Sequence, residues 1–243
     1  MGLMLHCGGK EVTYADLQQV DMPPATRSYR PISYPDMVDF VRERIETKMP
    51  GAMREEQFAL GRKGRQMFAV FTLDMDREDR GLSIGLRQSL DKSISAGAVA
   101  GQQVFVCDNL CFDGDSVRVV RKNTTNVWAD FRELFDQSLE RSTGVYYRMS
   151  DEFDRLQELE CETKRGAELI GLAMYKDVLK PQQASETLRQ WVKPDHADFD
   201  PRNLWSLYNA FTEALKKGTP NDVFERYTAA HTFFKGLTPE DVC

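Results

Sequence analysis

The sequence predicts an α+β fold: an antiparallel β-meander preceded by a helix and followed by a helical C-terminal half. Three observations predict it. Hydrophobic residues make up 41% of the chain and charged residues 29%, a globular rather than a disordered composition. Between about 55 and 122, apolar residues alternate or run solidly in short stretches bounded by turn residues. On either side of that region they recur at helical spacing. At 243 residues the chain can bury a sizeable core. It divides into a helix-and-sheet region over 1–125 and a helical region over 126–243, packed together as one unit.

The elements follow in order. Thr13 to Val20 reads as a short helix, with Thr13 as cap and Asp16 three residues on, a looser capping box. Met22 to Pro31 is extended, because three prolines deny it regular structure. Ser33-Tyr34-Pro35-Asp36 starts a helix whose face is Met37, Val38, Val41 and Ile45, ended by Pro50-Gly51. Gln57 to Arg62 alternates, Gln66 to Leu73 is almost solidly apolar, and Lys63-Gly64 joins them as a hairpin. A strand apolar on both faces belongs in the centre of the sheet. Leu82 to Leu86, Gln103 to Val106 and Val117 to Val120 complete the meander, with a turn at Asp113-Gly114 before the last.

Beyond Asn123 the spacing is helical. Val127, Phe131, Leu134, Phe135 and Leu139 share one face. Phe153 through Val178 line a longer helical stretch stopped at Pro181. Asp200-Pro201 caps a helix carrying Leu204, Tyr208, Phe211 and Leu215, ended by Gly218, and Thr219-Pro220 starts the last.

Charge and cysteine usage narrow the function. No apolar run is long enough to span a bilayer, and the N-terminus lacks the pattern of a secretory signal. Five scattered cysteines fit reduced thiols in the cytoplasm better than a disulfide frame. The net charge is −6, and all of the excess lies in the second half: residues 1–125 hold 17 Lys+Arg against 17 Asp+Glu, residues 126–243 hold 15 against 21. Such a chain is poorly suited to indiscriminate duplex binding, while its neutral half can still carry a local basic groove.

Familiar chemical motifs fail on spacing. Asp74 to Asp79 places acids at alternate positions as a calcium loop does, but Asp79 and Gly85 stand where that loop needs Gly and Glu. Cys107 and Cys111 lie on the order of 13 Å apart on a strand, and His6, His196 and His231 supply no second ligand pair. Gly97 to Gly101 is not a phosphate loop, since no Gly-Lys-Ser/Thr follows; its small residues suit close packing against a strand or a second subunit. No Ser/His/Asp or Cys/His set emerges, so neither catalytic residues nor a cofactor are expected.

The basic residues form the positive signal. Arg62, Lys63 and Arg65 cluster at one hairpin turn, Arg87 and Lys92 flank the central stretch, and Arg118, Arg121 and Lys122 lie on and after the last strand. With Phe105 and Phe112 between them in sequence, convergence on one side of the sheet would make a groove for a single strand, cations on phosphate and rings under bases.

The words GLRQSLDKS (85–93), VFVCDN (104–109) and RKNT (121–124), with Tyr29–Tyr34, FAL…GRQMFAVFTL and NLWSLYNAFTEALK, carry a resemblance across most of the chain. The chain resembles the phage- and plasmid-encoded family known as domain of unknown function 932. That family typically has histidine where this chain has Leu90 and Asn123, so the resemblance implies no imidazole chemistry here. Its mobile-element setting, beside genes for recombination, single-strand binding and evasion of host defence, implies two roles. One is a non-enzymatic, homo-oligomeric protein binding single-stranded nucleic acid. The other is a counter-defence protein that captures a host defence protein or a nucleotide-like anion. The order helix, meander, helix is also similar to the core of single-strand annealing proteins, an architectural likeness alone.

Overall fold

The computed structural model describes residues 9–105, 109–111, 118–121, 126–216 and 220–242. It has helices before an antiparallel sheet and a mostly helical C-terminal half. Strand β1 (Lys10–Val12) leads into α1 (Tyr14–Gln18), where Thr13 accepts the Asp16 amide and Asp16 answers on the Thr13 amide at 2.8 Å. Helix α2 (Tyr34–Lys48) starts at a Ser33 cap with Pro35 in its first turn. Its predicted apolar face, Met37, Val38, Val41 and Ile45, is fully buried.

The sheet is built from β2 (Met53–Gly61), β3 (Gln66–Leu73), β4 (Arg80–Ser89), β5 (Ala96–Val104), β6 (Asn109–Cys111) and β7 (Arg118–Arg121). Strands β1 to β6 lie in sequence order, and every pair is antiparallel. The predicted central strand is central: every residue of β3 is buried. Met67, Ala69, Phe71 and Leu73 enter one core, and Phe68 and Val70 the other, the period-two alternation of a strand covered on both faces.

Two features of the sheet depart from the sequence reading. Strand β5 begins at Ala96, not Gln103, and takes in the whole Gly97–Gly101 run. That run is buried, paired with β4 along its whole length and with β7 over Gly97 to Val99. The final strand, β7, pairs back onto β5 beside β6 rather than continuing the meander. The Asp113-Gly114 turn falls outside the described residues.

The C-terminal half opens with α3 (Val127–Glu158), a helix of 32 residues. Its first half packs with α2 over one sheet face, Phe131 and Phe135 edge-on to Phe40 at ring-centroid distances of 6.3 and 5.6 Å. Its second half enters the other core with Val145, Met149, Phe153 and Leu156. Then come α4 (Thr163–Tyr175), α5 (Pro181–Val192), α6 (Leu204–Leu215) and α7 (Pro220–Lys235). The helical stretch expected over Phe153 to Val178 is broken between α3 and α4, and Val178 lies beyond α4. Pro181 opens α5 instead of closing a helix: at the first helical position its missing N–H costs no hydrogen bond. Helix α6 is capped by Asn203, whose side chain accepts the Ser206 amide at 2.9 Å, three residues after the expected Asp200. Gly218 and Thr219 lie outside the described residues. No described helix is long and apolar enough to cross a membrane.

Candidate nucleic-acid interface at the basic end of the sheet

The strand order fixes where the basic residues go. The β2–β3 turn and the β4–β5 connection lie at the same end of the sheet, because Gln66 pairs with Gly61 on one side and with Ser89 on the other. Two hydrogen bonds tie these connections together. The Leu90 amide donates to the Arg65 carbonyl at 2.8 Å, and the Gln66 side-chain amide donates to the Ser93 hydroxyl at 2.7 Å. Four of the sequence-predicted cations, Arg62, Lys63, Arg65 and Lys92, therefore sit together at one end, all exposed.

Three of them are held in unusual backbone. Arg62, Lys63 and Lys92 have φ of 47°, 56° and 64°, the left-handed region that residues with a Cβ rarely occupy. Glycine would fit each position without strain, so cations there are costly as structure alone.

The local electrostatics are simple. Arg62 reaches Asp91 across the two connections. Burial alone would raise the Asp91 carboxyl, but the Ser93 hydroxyl and amide and the Arg62 guanidinium outweigh it and hold it below the usual carboxylate range. Lys92 lies over the Tyr29 ring, its Nζ 4.6 Å from the centroid. Among the described residues Lys63 and Arg65 form no ion pair, which leaves two charges at the turn for an external anion.

The other predicted residues divide. Arg121 pairs with Ala96, which places its backbone at the same end. Arg87 is half-buried and lies opposite Phe68 and Gly97, two positions inward from Ser89. Arg118 pairs with Val99, which places its backbone a further step down the sheet. Lys122 is outside the described residues. The expected aromatic partner is at the wrong end: Phe105 follows the far end of β5, where Arg54 covers its ring at 4.0 Å. Phe112 is outside the described residues.

The structure adds groups that sequence reading missed. Tyr29 donates from its hydroxyl to the Leu90 carbonyl at 2.9 Å, carrying the proline-rich segment across this end, with exposed Arg30 next to it. Lys10 pairs with Leu60, one residue before the β2–β3 turn begins at Gly61. No local signal marks these residues. Only the pairing of segments far apart in the chain brings them in.

At the opposite end the charge reverses. Asp74 pairs with Arg54 at 2.8 Å, and buried Arg80 lies between Asp79 and Asp154 at 3.0 and 3.3 Å. The acidic loop is thus a salt-bridged hairpin connection. Cys111 is buried, and among the described residues no group of three His, Cys, Asp or Glu side chains is placed to hold a metal ion. Cys107 lies outside them.

A family model described as Domain of unknown function (DUF932) matches residues 25–233. No curated protein and no solved structure matches the chain.

Proposed function

The chain belongs to that family, and from this premise and the charge at the end of its sheet we propose that it is a non-enzymatic protein binding single-stranded nucleic acid. The observation that carries the reading is the convergence of Arg62, Lys63, Arg65 and Lys92 on one end of the sheet, from two connections separated in sequence. Phosphates spaced along a flexible strand can meet several such cations at once, and release of their counterions drives binding. Arg30, Lys10 and the backbone position of Arg121 extend the same surface. A recombination or annealing accessory role fits a surface that grips phosphate without reading bases.

The test is fluorescence anisotropy of a labelled oligothymidylate over a salt series. Affinity should fall steeply with salt. The R62E/K63E/R65E variant should lose most binding at low salt while keeping the wild-type circular dichroism spectrum. Absence of binding at low salt, or equal affinity in a folded triple variant, overturns the reading. A cyclic-nucleotide panel that raises the melting temperature while oligonucleotides do not would replace it with capture of a small nucleotide signal.

A further inference from the structure

A cleft of about 620 Å³ lies at the other end of the sheet, between the β3–β4 loop, the end of β5 and the start of α6. It is lined by the acidic residues Glu78, Asp79 and Asp198 and the aromatic residues Phe105, Phe199 and Trp205. We propose that this cleft binds a small organic cation, a guanidinium or alkylammonium group carried on a short carbon chain.

The charge of the walls sets the sign of the ligand. Asp79 is engaged by Arg80, a guanidinium only 2% exposed that also meets Asp154. Glu78 and Asp198 make no ion pair among the described residues, and both are exposed to the cleft. Two unneutralised carboxylates facing a confined space repel phosphates and nucleotides and attract cations.

The rings act in the same direction. The chain already places guanidinium groups on two of them: Arg54 lies 4.0 Å from the Phe105 centroid and Arg80 5.4 Å from that of Trp205. Aromatic faces attract cations, most strongly where water is partly excluded. Together the rings and carboxylates describe a site for a charged head on an apolar stem.

A metal ion does not fit. Glu78 and Asp79 come from the β3–β4 loop and Asp198 from the segment before α6, and no three ligating side chains converge among the described residues. Separated acids suit an elongated ligand with charge at both ends, such as a diamine or a guanidinium-amine. The volume falls within the range of small-molecule sites. The proposal is independent of nucleic-acid binding, since the cleft and the basic turn lie at opposite ends of the strands.

The experiment uses the full chain with agmatine as the probe and 1,4-butanediol as the uncharged control. Thermal shift and isothermal titration calorimetry are the readouts. Agmatine should raise the melting temperature and butanediol should not. E78Q/D198N, two conservative changes at exposed positions, should weaken agmatine binding by about tenfold or more. The R62E/K63E/R65E variant should bind agmatine as the wild type does, which separates this result from the fate of the nucleic-acid reading. No response to agmatine, an equal response to butanediol, or undiminished binding in folded E78Q/D198N overturns the proposal.

Discussion

Arg62 and Asp91, 29 residues apart in sequence, meet at 3.4 Å and join the two connections at the basic end of the sheet. Arg62 is 63% exposed, so the pair adds little stability and acts chiefly as a local counter-charge. Replacing Asp91 with Asn removes that charge but keeps an acceptor for the Ser93 amide, which bonds Asp91 at 2.9 Å. D91N should bind oligothymidylate several-fold more tightly at low salt, with its stability changed by about 0.5 kcal/mol or less. Anisotropy and urea denaturation check the two halves of this expectation.

The slope of affinity against salt gives a second measure of the same surface. Single strands lose about 0.7 of a logarithmic unit per phosphate contact for each decade of salt. Neutralising all three turn cations in R62Q/K63Q/R65Q should therefore reduce the slope by about 2. A lowered affinity with an unchanged slope would point away from phosphate contacts at the turn.

Lys63 separates stability from binding. Its φ of 56° is left-handed, a conformation glycine adopts without the Cβ penalty. K63G should leave the protein as stable as the wild type, or more stable by up to about 1 kcal/mol, while weakening oligonucleotide binding. Denaturation midpoint and anisotropy, measured on one sample, should move in opposite directions or only the second should move.

Gly166 is fixed by packing rather than by backbone conformation. A Cβ there would lie 2.3 Å from Nε1 of Trp191, whose ring is 1% exposed and donates to the Thr163 carbonyl at 3.0 Å. G166A forces α4 and α5 apart and should destabilise by about 1–3 kcal/mol. A chain of this size loses about 2–4 °C in Tm for each kcal/mol. The shift should be accompanied by a red shift in tryptophan emission.

Glu152 predicts the acid limb of the stability curve. Burial acts to raise its carboxyl, but His231 at 2.8 Å and Lys235 at 3.0 Å overcome that and bring it down to about 2. A carboxyl depressed from its ordinary 4.5 contributes stability that is present above that value and is lost as pH falls toward 2. The stability difference between wild type and E152Q should shrink as pH falls between ~4.5 and ~2. Denaturant titrations across that window measure it.

Much of the fold was legible because local chemistry decided it. Thr13 with Asp16, and Ser33 with Pro35, mark helix starts by capping groups that need no tertiary context. The β2–β3 hairpin follows from its alternation and its Lys63-Gly64 turn. The misses arose where tertiary context overrode propensity. Gly97 to Gly101 carries little β-preference, yet it is a strand because β4 pairs along its whole length and β7 along Gly97 to Val99. Pro181 reads from sequence as a stop, although proline at a first turn is equally a start. At the basic end, Arg62, Lys63 and Arg65 were visible as neighbours in sequence. Tyr29, Arg30 and Lys10 were not, since only long-range pairing carries them there. Phe105 failed for the converse reason: nearness to Arg118 in sequence did not bring it to the end where the other cations gather.

Helix α3 gives its first half to one apolar cluster and its second half to the other. Severing the backbone near residue 125 would hand this rod to one fragment and leave the other with a bare sheet face. Neither piece expressed alone would stay in solution, and the two would need to be co-expressed to rebuild the whole. Heating should accordingly melt sheet and helices in a single step, with one shaft running through both.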